Sequence, residues 1–393
     1  MAEAPAYRQP CSSYLRWAAA GLSLLLASCS VVPKAKPGPA APPPPVEKPD
    51  EGGLPRDQAR HRVALLLPLT GANAAVGQSV ANAATMALID TGNRSVRITS
   101  YDTAPGAAAA AKRALAEGNR LFLGPLLSED VVAIAPAARA AGVPVISYSN
   151  DVAAAGGPVF VMGFSPAQSI DRVVRYAKSK GIHRFAALLP AGVYGRNAST
   201  AMIRSVESAG GNLVAMKSYE RTPQSMEKAV AELGLNQGYE AVLIGDTARH
   251  AIGAATLIRK GSSPRARILG TELWAVEPRS LNLPAIAGAW YASVADDRFQ
   301  PFAAAYRRQF GKAPFRLASL GYDSMLLVVK LSKDWPVGGE VPIDRLRAED
   351  GFDGVDGVFR FGANGVAQRA LEVNEAAPTG TKTVSPAPSS FKN

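Results

Sequence analysis

Cysteine is almost absent. The 393-residue chain has two, Cys11 and Cys29, so no disulfide can brace anything that folds after Cys29. Histidine is nearly as scarce. His61, His183 and His250 stand apart in sequence, which leaves no metal-binding spacing and no recognisable Ser/His/Asp set. Aromatic residues make up only 7% while glycine numbers 36, a composition suited to close packing of helices on sheets. The formal charge of +11 is not gathered into a basic tract. Its densest sets, Arg172/Arg175/Lys178/Lys180 and Arg345/Arg347, carry no interleaved aromatics. Nucleic acid is therefore not an expected partner. A solvated surface, or one facing anionic lipid or cell-wall carboxylates, accounts for the charge. The apolar run from Ala18 to Ser28 is too short to span a bilayer as a stable helix.

That short run sits behind Arg8 and Arg16 and ends in Leu26, Ala27, Ser28 and Cys29. A basic flank and a brief apolar core are the marks of an export signal, and the last four residues resemble the lipobox of bacterial lipoproteins. The resemblance implies cleavage before Cys29, a diacylglyceryl group on its sulfur and acylation of the new amine. Residues 1–28 are thus expected to be a signal peptide and Cys29 a lipidation site. Ser30, standing where an Asp would imply retention at the inner membrane, points to the periplasmic face of the outer membrane. Residues 29–58 read as a Pro-rich linker. Val32 to Pro55 is VPKAKPGPAAPPPPVEKPDEGGLP, which cannot bury apolar surface and favours polyproline conformations. At about 3 Å per residue it would reach roughly 70 Å.

The rest alternates strands and helices. Continuous apolar runs at Arg62–Leu69, Leu121–Gly124, Phe185–Leu189 and Ala241–Gly245 suit strands buried on both faces. Further strands are expected at Val96–Tyr101, Val143–Ser147, Val159–Met162, Leu213–Ser218, Ala266–Gly270 and Gly288–Ala292. Between them lie helical patterns at Val76–Asp90, Ala107–Glu117, from Ser128 onward, Arg196–Ala209, Gln224–Leu233 and Ala248–Arg259. Ser128 is expected to cap its helix and Pro136 to kink or restart it. Ser165 before Pro166 opens a helix with Ile170, Val173, Val174 and Ala177 on one face. Phe302–Phe310 and Ala318–Leu331 read as amphipathic helices, and Phe359–Val373 as a hairpin around Asn364-Gly365. Two such series predict an α/β fold of two doubly wound, parallel-sheet lobes with a central cleft.

The stretches LLLPLTGANAAVGQ, FLGPLLSEDV, VPVISYSN and LASLGYDS resemble landmarks of the type I periplasmic binding fold, which also houses branched-chain amino-acid receptors. The resemblance covers about residues 60 to 375. More narrowly, GFSPAQSIDRVVRYA, the ALLP and YG pair, ILGTELW, GFDGVDGVFRF and NGVAQRALEV resemble penicillin-binding protein activators. Those are lipoproteins whose binding-protein-like domain acts on peptidoglycan synthases. The fold implies three crossings between lobes, placed near Gly163, Ala292 and Leu346. Lobe 1 would then be 59–163 and 293–345, lobe 2 164–292 and 346–375, with 376–393 a disordered tail.

Ligands of open α/β sheets bind beyond the carboxyl ends of the strands. Candidate cleft residues are therefore Thr70, Gly71, Ser128, Ser147, Ser149, Tyr194, Asp246 and Glu272, with Thr247 and Thr271 beside them. The receptor resemblance implies that Ser128, Ser147 and Ser149 sit where a ligand carboxylate is held, and Glu272 where an ammonium is held. It also shows a departure, because Tyr148–Asp151 replaces the small Ala/Thr-rich loop of those receptors. Gly71–Ser79 is a poor phosphate loop, with one residue too many between glycines and Gln78 in place of the lysine. Asp350, Asp353 and Asp356 recur every three residues, where a calcium loop needs every two. No catalytic residue, metal site or cofactor is expected. The sequence thus points to a non-enzymatic lipoprotein that activates a peptidoglycan synthase. The alternative is the receptor of an ABC importer, with an amino acid or related small solute in the cleft.

Overall fold

The computed structural model describes residues 59–235, 238–261, 263–276 and 281–391. The expected signal segment, Cys29 and the whole Pro-rich linker lie outside them. The first series runs β1 (His61–Leu67), α1 (Ala74–Asp90), β2 (Val96–Asp102), α2 (Ala107–Ala116), β3 (Leu121–Leu123), α3 (Ser128–Ala140), β4 (Val145–Ser147) and β5 (Val159–Val161). Its strands form one parallel sheet in the order β2-β1-β3-β4-β5. Val63 to Leu67 are wholly buried, as a strand covered by helices on both faces must be. Ala110, Ala111 and Ala114 of α2 are small enough to bring that helix close against Leu66 and Phe122.

The second series repeats the winding. It runs α4 (Pro166–Ser179), β6 (Arg184–Pro190), α5 (Val193–Ser208), β7 (Asn212–Tyr219), α6 (Pro223–Gly234), β8 (Ala241–Ile244), α7 (Ala248–Lys260), β9 (Arg267–Gly270) and β10 (Trp290–Ser293). The parallel order β7-β6-β8-β9-β10 mirrors that of the first sheet. Ser165 caps α4 as its sequence suggests, accepting from the Ala167 amide at 3.3 Å with Pro166 in the first turn. The chain then returns to the first lobe with α8 (Phe299–Phe310), α9 (Ala318–Leu331) and α10 (Ile343–Leu346), α9 lying along α1.

Several expectations need correction. Residues 346 to 370 belong to the first lobe, not the second. There β11 (Phe352–Gly354), β12 (Gly357–Phe361) and β13 (Ala367–Arg369) form a small antiparallel sheet. Its Phe352, Phe359, Phe361 and Ala367 bury into the first core, with Phe361 edge-on to Phe160 at 5.2 Å. Period-2 burial against an apolar core already present decides the placement. The last crossing is therefore near Ala370 and Leu371, and the expected hairpin is divided between lobes. β14 (Glu372–Ala377) joins the second sheet antiparallel to β10, and β15 (Gly380–Ser385) pairs with β14 as its edge. The supposed disordered tail thus supplies a strand. Thr381, Thr383 and Val384 are β-branched, and Thr383 bonds Asn374 at 3.0 Å. Ser128 does not cap α3; Leu127 holds the cap position without a side-chain bond, and Pro136 does not end the helix.

At the first crossing, a Cβ on Gly163 would lie 2.2 Å from the Ser149 carbonyl oxygen, so only glycine lets the two segments meet. The third crossing is pinned to the first by Gln168 of α4. Its amide donates to the Ala367 carbonyl and accepts from the Arg369 amide, both at 2.6 Å. Arg172, one turn on, donates to the Leu371 carbonyl at 2.9 Å and to Ser385 at 2.7 Å. Replacing Gln168 with alanine leaves a backbone donor and acceptor unpaired. The expected loss is about 1–3 kcal/mol of unfolding free energy. Denaturant unfolding measures it, and an unchanged midpoint would mean the clasp contributes nothing.

Candidate functional site

Between the lobes lies a cleft of 460 Å³, inside the range that holds small organic ligands. Val76, Leu126 and Leu127 line it from the first lobe, and Leu273, Val276 and Leu371 from the second. Phe164 and Phe315 add aromatic faces. Its polar lining includes Ser165, Gln168, Ser169, Glu272, Arg316 and Arg369.

Glu272 follows β9 and is the one predicted site residue on the cleft wall. Ser169 Oγ donates to its Oε2, and the Tyr194 hydroxyl lies 3.0 Å from both its Oε1 and Thr271 Oγ1. Burial raises the Glu272 carboxyl above its ordinary range, and these bonds only partly oppose the rise. Tyr194 is pushed far up by burial and by the Glu272 charge, so it stays a neutral donor. Tyr194 thus serves the acid rather than the cleft.

The other predicted residues are occupied elsewhere. Asp246 is wholly buried and receives Tyr219 Oη at 2.7 Å, the Thr247 amide at 2.8 Å and both Nε and Nη2 of Arg221 at 3.0 Å. Burial alone would raise its carboxyl, but the Arg221 and Tyr219 bonds overcome that and hold it low. Ser147 donates to the Pro125 carbonyl at 3.0 Å and accepts the Ser149 amide at 3.0 Å. Ser149 in turn accepts the Asp151 amide at 3.1 Å, so both hydroxyls shape the loop after β4. Thr70 bonds Asp102 at 2.6 Å, and Gly71 (φ +73°) turns the chain out of β1. Thr70, Gly71, Ser128, Ser147 and Ser149 are not on the cleft wall. Nor is the His61 ring, which stacks on Trp335 at 4.5 Å. Among the described residues no group of His, Cys, Asp or Glu could hold a metal ion.

Sequence reasoning missed the arginines. Arg316 donates through Nη1 to Asp356 at 2.5 Å and to Ser319 at 3.2 Å, and its guanidinium lies 4.0 Å over the Phe299 ring. Arg369 gives one bond, Nη2 to the Met162 carbonyl at 2.8 Å. Nearby Asp323 is pushed up to about 7, first by burial and then by the Asp356 charge. It accepts the Val355 amide at 2.7 Å, and a Cβ on Gly354 would strike its carboxylate. One signal was available: Arg369 shares strand parity with Ala367, so it faces inward.

A family model described as periplasmic binding protein matches residues 61–381. An uncharacterized protein of Rickettsia prowazekii is 31% identical over 185 residues, 46% of this chain and 49% of that one. The match thus spans about half the length of that relative. Among solved structures, a branched-chain amino-acid ABC transporter assigned in Rhodospirillum rubrum aligns with a TM-score of 0.71 at 21% identity, over 83% of this chain and all of that one. Full-length LpoA of Haemophilus influenzae aligns with a TM-score of 0.64 at 17% identity, over 83% of this chain and 59% of that one. At such identities the structural likeness establishes the fold.

Asp246, outside the cleft, gives the second lobe a definite pH response. Its folded carboxyl is held below the unfolded value, so its stabilisation is present above pH 4 or so and is lost as pH falls. Asp246→Asn is expected to lower stability at pH 7 by about 1–3 kcal/mol, a figure reduced by the half-exposure of Arg221. Its acid limb should also be shallower than that of the unaltered chain. Urea unfolding at pH 7 and at stepped values below pH 4 compares them; parallel curves through the acid range would exclude the role given to Asp246.

Proposed function

Because the chain belongs to the periplasmic binding protein family, we propose that it is a non-enzymatic envelope protein that holds a small solute between its lobes. The observation that carries this reading is the cleft itself. It is formed by both lobes, walled mostly by apolar side chains, and has a few polar groups at defined places. Fold alone does not set function, but a cavity of ligand size at the carboxyl ends of two switch-point sheets is the binding geometry of open α/β architectures. The receptor of an ABC importer is the reading in closest accord with it. The serines after β3 and β4 do not reach the cleft, so an amino-acid carboxylate would have to be held by other groups.

A second reading is favoured by the sequence. The shorter motifs that resemble penicillin-binding protein activators, and the Pro-rich stretch after Cys29, fit a tethered regulator of a peptidoglycan synthase. The tether would be a lipid on Cys29, at the periplasmic face of the outer membrane. In this reading the cleft ligand, if any, would be a signal and the synthase the partner.

Thermal denaturation of the full chain against amino acids, small organic acids and peptidoglycan fragments separates the two. A solute at a hundred times its Kd adds about 2.7 kcal/mol to stability. The receptor reading expects a clear rise in Tm with at least one solute, and Glu272→Ala should abolish binding of any ligand whose ammonium it holds. No shift with any solute, together with retention of a peptidoglycan synthase from solubilised envelopes, would replace that reading with the second.

A further inference from the structure

We propose that the cleft selects an uncharged solute, with an apolar body and one amide-like polar group, and that the carboxamides of Asn73 and Asn150 hold that group. The proposal rests on the solute-binding reading above and says which class of solute the cleft takes.

The charges on the wall are already answered within the fold. Arg316 is paired with Asp356 at 2.5 Å and lies 4.0 Å from Asp296. Arg369 donates to the Met162 carbonyl and sits in the field of Asp356 and Asp323. The N–H groups left over, Nη2 of Arg316 and Nε and Nη1 of Arg369, are buried and present no surface to the cavity. A solute carboxylate therefore meets no open cation. Across the wall, one oxygen of Glu272 accepts from Ser169 and the other from Tyr194, and burial works against its charged form. A solute ammonium meets no open anion. An ion entering here would give up water for no partner, the costly case of burial.

What the wall leaves open is neutral. The hydroxyls of Tyr148 and Ser165 bond Ser324 and the Ala167 amide, Ser169 serves Glu272, Ser293 accepts from Asn374, and Gln168 grips the last crossing. Asn73 and Asn150 also line the cleft and are exposed, yet neither side chain hydrogen-bonds a described residue. Asn73 stands at the N-cap position of α1 without making a cap bond. The loop after β4 is shaped by Ser147, Ser149 and Asp151, not by Asn150. Neither carboxamide thus has a task inside the fold. Asn73 follows β1 and Asn150 follows β4, and in the sheet order these strands flank β3, so the two residues bracket its carboxyl end. A carboxamide both donates and accepts without bearing charge, which suits an amide and neutralises no ion. Phe315 and Val276, 48% and 59% exposed, line the same cavity from opposite lobes and offer apolar surface to the body of the solute.

The test is calorimetry on the full chain with matched pairs, each a primary amide and the carboxylate of the same skeleton: benzamide and benzoate, 3-phenylpropanamide and 3-phenylpropionate, isovaleramide and isovalerate. L-Phenylalanine and L-leucine run alongside. At least one amide should bind about tenfold more tightly than its carboxylate and than either amino acid. Asn73→Ala combined with Asn150→Ala should weaken that amide about tenfold, the worth of one or two hydrogen bonds. The same double variant should keep its solute-free Tm, because neither side chain bonds the fold. A carboxylate or amino acid that binds as tightly as the best amide overturns the proposal, and so does amide binding untouched by the double variant. No binding by any amide, while another solute of the wider panel raises Tm, overturns it and leaves the solute-binding reading standing. No shift from any solute removes both. The amide–carboxylate comparison uses the unaltered chain, so it decides the solute class even if the double variant fails to fold.

Discussion

Two lobes joined by separate passes of the chain make a cleft of definite shape only if the passes are held in register. Here the restraint is the side chain of Gln168. It bonds the backbone on both sides of Gln368, as a neighbouring strand would, and so ties the start of α4 to the last crossing. Arg172 extends the tie to Leu371 and Ser385. Gly163 lets the first crossing pass against the loop after β4.

The same segments set the electrostatics of the cleft. Arg369 lies in the strand that Gln168 grips, and its guanidinium reaches back to the Met162 carbonyl at the first crossing. A charged side chain has thus been placed at the hinge, under the aromatic faces of Phe164 and Phe359. The second lobe handles its buried acid differently. Asp246 is surrounded by Arg221, Tyr219 and the Thr247 amide and has no need of a ligand. The acid of the second lobe is thus satisfied within the fold, whereas the Arg369 side chain at the last crossing has one hydrogen bond, to Met162.

The fold was largely legible in the sequence because strands covered on both faces must be continuous apolar runs, and the alternation of β1 to β10 with helices leaves few topologies. The cap at Ser165 was legible for the same local reason. Placement of residues 346 to 370 was not. Which lobe receives Phe352, Phe359 and Phe361 depends on where apolar surface remains open, a three-dimensional matter. Composition misled at Thr381–Ser385, where a waiting sheet edge outweighed a Pro-, Ser- and Thr-rich neighbourhood. At the site, position after a strand found Glu272 but could not distinguish it from Ser147 or Asp246, whose polar atoms turn inward to the fold. Arg316 and Arg369 come from segments far apart in sequence, and only the fold brings them to one corner.

The central claim is that the two lobes act as a clamp on what the cleft holds. The inter-lobe distance tests it most directly. With Cys11 and Cys29 replaced by serine, spin labels can be attached at Val132 of α3 and Ile203 of α5, which are 68% and 47% exposed. Pulsed dipolar spectroscopy then reads the separation with and without a saturating solute that calorimetry shows to bind. The account requires the distance distribution to narrow and move when the solute is present. An identical distribution, with the cleft demonstrably filled, would contradict it.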